Sequence, residues 1–355
     1  MRVFVGCYTK KITEELIGQG EGIYCFDFNQ NDGSLKQVDI IQTLNPSYLT
    51  ITNDGKYLYT VEEIPIEESP KIKAFKINSP SSEQSLSFIN EQELPGSYSC
   101  HLALLNSQTH LIVAAYMSGN ALVYPIDNNG ALLPLIQNII HKGSGLNSIR
   151  QESAHIHMIQ PFKENGMYAV DLGLDTAKYY EFDKTNNKFI TSTEFDLEIQ
   201  KGSGARHMVF HPNGNYAFIF SELTAEVFSF KIFRNRIEFL ECIKSLPANS
   251  ENSPSGAAIR MHPNGKFLFV SNRVHNSISI FKFDIILEKL IFVDCFDSGG
   301  KTPRDFNIDP TGNWLLTANQ DSDNIVVFKM DQKNGLLKKQ IENYDVKTGC
   351  CIQFL

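Results

Sequence analysis

The chain has 355 residues, 42% of them apolar and 20% charged, the make-up of a soluble globular domain whose core needs no disulfide or metal staple. Its net charge is −8 and it has no basic block, which argues against a nucleic-acid partner, and no apolar run is long enough to cross a membrane. Seven cysteines, an odd count with no CxxC pair, point to reduced thiols and a cytoplasmic setting.

The N-terminal run RVFVGCYT (2–9) is too short for a signal segment and reads as a single β-strand. From there on, one pattern recurs: a small turn followed by an aromatic-rich strand. It appears as TNDGKYLYTVEE (52–63), LLNSQTHLIVAAYMSG (104–119), FKENGMYAVDLG (162–173), HPNGNYAFIFSE (211–222), HPNGKFLFVSNR (262–273) and DPTGNWLLTANQ (309–320). Gly166, Gly214, Gly265 and Gly312 fall 48, 51 and 47 residues apart, and the copy at 104–119 lacks the turn glycine. Each copy predicts a hairpin, with His207 to His211 and Tyr216 to Ser221 as the clearest pair of strands.

Two more short runs of period two follow each hairpin, such as 225–232 and 236–246, then 276–284 and 289–297, then 323–330 and 336–344. Four strands per unit of about fifty residues is the pattern of a propeller blade. Seven units are present, but the first lacks its innermost strand, and CCIQF (350–354) is left over at the other end. The expectation is an all-β, seven-bladed β-propeller with four-stranded blades, residues 1–355 as one domain, closed by the C-terminal strand completing the first blade. The stretches 64–71, 142–154 and 246–256 are then loops within that domain.

Antiparallel pairing places the start of each inner strand and the end of each second strand at one mouth of the channel. The first set gives Ser47-Tyr48, Cys100-His101, His155 to His157, Arg206-His207 and Arg304-Asp305. The second gives Tyr8, Glu62-Glu63, Tyr116, Asp171, Glu222, Asn272-Arg273 and Asn319-Gln320. Such a polar ring on a rigid scaffold is where binding groups collect. His155 and His157, two apart on a strand, are expected to face the same side. Asp171 and Asn319 read as turn caps, His211 and His262 as structural groups at the opposite turns, and Cys100 as a small buried residue. His155-x-His157 offers no third metal ligand by spacing, and no GxSxG, P-loop or GxGxxG fingerprint occurs.

At these residues the sequence resembles the seven-bladed lactonase family, which includes propeller-type bacterial 6-phosphogluconolactonases and fungal carboxy-muconate lactonizing enzymes. The resemblance runs in order through NPSYLTITNDGKYLYTVEE, CHLALLNSQTHLIVAAYMSGN, ESAHIHMIQPFKENGMYAVDLGLD, GSGARHMVFHPNGNYAFIFSEL, RMHPNGKFLFVSNRVHNSISIF and GGKTPRDFNIDPTGNWLLTANQDSDNIVVF. It implies a metal-independent lactonase with no cofactor, and a catalytic set on His155, Arg206, Glu222 and Arg273. His101, His157, Arg304, Asn272 and Gln320 complete the expected substrate-binding ring. The expected ligand is a small anionic lactone or carboxylate, with Glu222 or His155 as proton acceptor, Arg206 as oxyanion or carboxylate clamp, and Arg273 with Arg304 as anion binders. Four positions depart from the family pattern: Ala154 and Ala205 replace prolines, Ser221 an asparagine, and Val274, expected to narrow the mouth, a glycine. Three alternatives remain open: a cycloisomerase acting on an unsaturated dicarboxylic acid, a calcium-dependent lactonase propeller, and a non-catalytic binding propeller. The sequence leaves the oligomeric state undetermined.

Overall fold

The computed structural model describes residues 1–14, 16–250 and 254–355. Its strands form seven sheets arranged as the blades of a propeller, each blade an antiparallel meander ordered from channel to rim. Blade 1 is assembled from both ends of the chain: Gly349–Phe354 is its innermost strand and pairs antiparallel with Arg2–Cys7, with Val3 opposite Phe354 and Val5 opposite Ile352. The expected closure is present, and it hides a strand edge that would otherwise be open. Blade 4 carries a fifth, two-residue strand, Leu197–Glu198, which pairs with Thr176 and Ala177. Part of the expected loop at 246–256 (251–253) lies outside the described residues. No helix among the described residues is long and apolar enough to cross a membrane.

The hairpins form because their turns have the right residues. In blade 5 the strands are Ala205–Phe210 and Tyr216–Ser221. The Gly214 N–H donates to His211 O at 2.8 Å, and Gly214 has φ +74°. This is a type I turn followed by a left-handed residue, a position that favours glycine. The same i to i+3 bond recurs at Gly55, Gly265 and Gly312. In blade 3, where the glycine is missing, Gln108 takes the position with φ +58° and bonds Leu105 O at 2.8 Å.

The turn histidines link neighbouring blades. His211 Nε2 donates to Gly265 O at 3.0 Å, and His262 Nε2 to Gly312 O at 2.9 Å. A Cβ on either glycine would come within 2.6 Å of that ring, so glycine is required there by close approach as well as by φ. The core fills the spaces between sheets. Val, Ile, Phe and Tyr of the second and third strands of one blade pack on those of the next.

A channel mouth with two charged sides

The inner strand of most blades carries an irregularity near its start. In blade 5, Ala205 pairs with Ser221 and His207 with Phe220, which leaves Arg206 as an extra, unpaired residue. The same happens at Cys100 in blade 3, His157 in blade 4, Arg304 in blade 7 and Cys350 in blade 1. A bulge of this kind re-aims a side chain and recurs next to functional sites. All five bulged residues line an inner cavity of about 10 Å³ in the channel, together with Ser47, Tyr48, Glu63, His207 and Asp305. Above it an outer cavity of about 370 Å³ opens at the mouth. Its floor and walls include Tyr8, Glu63, Tyr116, Arg150, His157, Glu222, Arg273 and Arg304, with Ile12, Leu16, Tyr98 and Met117 as an apolar wall. A groove of about 440 Å³ between the outer parts of blades 1 and 2 gathers no comparable set of charges.

One side of the mouth is built around Glu222. The loop before blade 5 is gripped by Asp175, whose carboxylate accepts the Gly202 and Gly204 N–H groups at 2.8 and 2.6 Å. The Glu222 N–H donates to Gly204 O at 2.7 Å, so Arg206 and Glu222 are fixed at the same hairpin end. Glu222 Oε2 accepts from Arg206 Nε and pairs with Arg273, both at 3.0 Å, while Oε1 accepts from Arg150. Burial acts to raise the carboxyl's pKa, but the charges of Arg273, Arg206 and Arg150 outweigh it and hold it well below the usual range. Arg206 is itself lowered to about 10, first by burial and then by the charge of Arg273. Arg273 Nε is buried with no hydrogen-bond partner.

The other side is built around Glu63. Tyr8 donates its hydroxyl to Glu63 Oε2 at 2.9 Å. Asn45 ties the two strand ends together: its side-chain oxygen accepts from Thr9 N at 2.7 Å and Lys10 N at 3.0 Å, and its amide donates to Glu63 O at 3.1 Å. The guanidinium of Arg304 lies 5.3 Å from the centre of the Tyr8 ring, a cation–π distance. Among the described residues Arg304 makes no hydrogen bond or ion pair, and Glu63 Oε1 accepts none. The preceding Glu62 is spent structurally, on Lys73 at 2.6 Å and the Lys71 N–H at 2.9 Å.

Of the residues expected to act together, Glu222 and Arg273 line the outer cavity, and Arg206 supports Glu222 from the inner one. His155 does not line either cavity. Its Nδ1 faces Tyr116 O at 3.1 Å and its Nε2 faces Glu152 at 3.0 Å, so both nitrogens are engaged. The expectation that His155 and His157 face the same side fails, because the bulge at His157 breaks the period of two. Tyr116 lies against both, stacked on His155 at 4.6 Å and edge-on to His157 at 5.4 Å.

His157 and Arg304 line both cavities. His101 is packed against Tyr48 at 4.0 Å and its Nδ1 accepts from the Ile159 N–H, deep in the channel. Asn272 is tied to Ser245, Ser277 and Ser279, and Gln320 to Asp321; neither lines the inner or the outer cavity. Ser221 binds Thr224 and Glu226 in a turn, which occupies the place of the family's asparagine. Val274 is 49% exposed and does not line the mouth, contrary to the expected narrowing.

Burial, followed by the charges of nearby arginines, pushes His101, His157 and His207 well below the usual histidine range, so all three are neutral in the channel. Burial likewise pushes the Cys100 thiol up, which leaves it a poor nucleophile. Among the described residues no group of three or more His, Cys, Asp or Glu side chains is placed to hold a metal ion. Arg150, on the connection between blades 3 and 4, was not anticipated. It lies outside any strand register, and a single basic residue in a long loop gives no positional signal.

Comparison with known proteins agrees with this architecture. The family model described as lactonase, 7-bladed beta-propeller, matches residues 2–354. A 6-phosphogluconolactonase of Formosa agariphila is 34% identical over 99% of this chain and 98% of its own length. A 6-phosphogluconolactonase of Bacillus subtilis is 31% identical over 99% and 97%. Among solved structures, the periplasmic gluconolactonase PpgL of Pseudomonas aeruginosa superposes with a TM-score of 0.90 at 26% identity, covering 100% of this chain and 98% of that one. With a family match that spans the whole propeller, this chain belongs to the seven-bladed β-propeller lactonase family.

Proposed function

We propose that the protein hydrolyses the lactone of a sugar acid that carries an anionic group, with 6-phosphogluconolactone as the leading substrate. The observation that carries this reading is the charge of the mouth. Arg150, Arg206, Arg273 and Arg304 line the two cavities with three carboxylates, Glu63, Glu222 and Asp305, and Asp305 is already paired with a fifth arginine, Arg260, at 2.8 Å, in a chain whose net charge is −8. A local cation excess on an acidic protein attracts and holds an anion. The names of the curated relatives support the same substrate class.

Opening a cyclic ester needs a water activated by a base, a stabilised oxyanion and a protonated leaving alkoxide. Arginine suits both a phosphate and a carboxyl oxygen, because its planar fork binds either in a bidentate way. Arg304, which makes no side-chain hydrogen bond or ion pair among the described residues and lines the outer cavity, has donors to give. Arg150 and Arg273 bind from the blade 3–6 side and Arg304 from the blade 7 side. The two poles suit a substrate with an anion at one end and a lactone carbonyl at the other. Glu222 serves here as the anchor of the arginine cluster: a carboxylate shared by three guanidiniums is a weak proton acceptor. His155, with both nitrogens engaged, orients Tyr116.

Acid release from sugar lactones with and without a 6-phosphate, measured against the spontaneous rate, tests the reading. Acceleration that favours the phosphorylated lactone and survives chelator is expected. No acceleration on any lactone, or turnover of an unsaturated dicarboxylic acid instead, would overturn it. For the compartment we propose the cytoplasm: all seven cysteines are unpaired and five are buried. Fractionation of cells is the check, since the Pseudomonas relative is named as periplasmic.

A further inference from the structure

The mouth holds a second carboxylate, Glu63, whose chemistry differs from that of Glu222. It is only 6% exposed, yet it lines both cavities. One oxygen is held by the Tyr8 hydroxyl at 2.9 Å, and the other accepts no hydrogen bond among the described residues. It forms no ion pair, although Arg304 is near enough for the two charges to interact. Burial pushes the Tyr8 phenol well above its ordinary range, so that hydroxyl stays protonated and remains a donor to Glu63. Asn45 locks the strand ends that carry the pair. Glu63 is therefore oriented, as a general base must be, and has a lone pair to offer. Glu63 and Arg304 line the same two cavities, the outer one of about 370 Å³. The inner cavity beneath, about 10 Å³ and polar-lined, has the size of one water.

We infer that Glu63 is the proton acceptor of lactone opening, positioned by Tyr8, with Arg304 as the cation facing the developing oxyanion. This inference rests on the lactonase reading. Glu63 Oε1 takes a proton from water as the water oxygen bonds to the carbonyl carbon. The carbonyl π pair moves onto its oxygen, opposite Arg304. The tetrahedral intermediate then collapses: the C–O bond of the ring breaks, the carbonyl re-forms, and the leaving alkoxide takes the proton back from Glu63. The carboxyl group formed loses its own proton to solvent, so one water is consumed and no other reactant is needed.

The test is Glu63→Gln, assayed on 6-phospho-δ-gluconolactone below pH 7, where spontaneous opening is slowest. A fall in kcat of about 10²–10⁴-fold is expected, the usual size of a general-base contribution. Affinity for the product 6-phosphogluconate, measured by calorimetry, should stay within a few-fold of wild type, and the melting temperature should change little. Glu63→Asp, which keeps the charge but withdraws it by one methylene, should recover part of the rate. A Glu63→Gln enzyme within about threefold of wild-type kcat overturns the inference while leaving the lactonase reading intact. So does a loss of turnover matched by equal loss of product binding in both variants, because that marks a structural role. A wild-type protein with no lactone acceleration removes both readings.

Discussion

The two sides of the channel mouth use the same residue types for opposite ends. On the blade 5 side, Glu222 is bound by Arg206, Arg273 and Arg150, and both of its oxygens are taken. On the side formed by blades 1, 2 and 7, Glu63 keeps one oxygen free and Arg304 keeps its donors free. The first arrangement spends its charges on each other and becomes a rigid, net-positive wall. The second leaves its valences open at the floor of a cavity. A carboxylate beside arginines is thus not by itself a base: what matters is how many donors it already serves.

Removing the shared inner strand should have the largest effect, because it breaks the ring that holds the two sides in register. Deletion of 349–355 takes away the pairing with Arg2–Cys7 and the contact of Ile352 N with Asp305 at 3.0 Å. Loss of cooperative thermal unfolding, or a melting point lowered by well over ten degrees, is the expected result in calorimetry. Next comes Glu222→Gln. It leaves Arg206 and Arg273 without their counter-charge, and breaking a buried pair in this way costs about 3–5 kcal/mol. Chemical denaturation should register that loss, whereas Glu63→Gln, which breaks no ion pair, should stay within about 1–2 kcal/mol of wild type. Equal destabilisation by the two would erase the distinction drawn between the sides.

A pH titration of stability sharpens the same contrast. Glu222 is held low in the folded state, so its contribution is present above the ordinary carboxylate value and is lost as pH falls through the folded one. The neutral histidines act at higher pH. Their folded values lie below the ordinary 6.5, so the unfolded chain binds more protons and stability falls as pH drops below about 6.5. Unfolding between pH 6.5 and 5 should therefore be accompanied by uptake of up to three protons, and His101→Gln should reduce that number by about one. A flat profile over this range would contradict the burial of these rings.

The smallest expected effect is from Tyr8→Phe. It removes one hydrogen bond to Glu63 while leaving the ring under Arg304, and a kcat loss of roughly tenfold, with KM little changed, is the expectation.

The propeller was legible in the sequence because its signals are local and repeated: a turn with a left-handed glycine, then a strand of period two. Even the closure followed from a missing first strand and a spare last one. The site was legible only to the level of strand ends. Tyr8, Glu63 and Tyr116 fell in the predicted ring, but nothing in the pattern separated Glu63 from Glu62, which points to Lys73. The bulges explain the rest. An extra residue at His157 shifts the alternation, so the two histidines of His155-x-His157 part company. The apolar and polar pattern of the strand is too short to show such a shift. Arg150 reaches Glu222 from a loop, and only the folded chain brings them together.

The account centres on Arg304 as an unpaired cation waiting for substrate, and the direct measurement is the kinetics of Arg304→Ala on a phosphorylated and an unphosphorylated sugar lactone. The account predicts a kcat/KM at least about 10²-fold lower on both, the size expected when a charge-assisted contact to the reacting carbonyl oxygen is removed, with the fold retained. Unchanged kcat/KM on both lactones would contradict it.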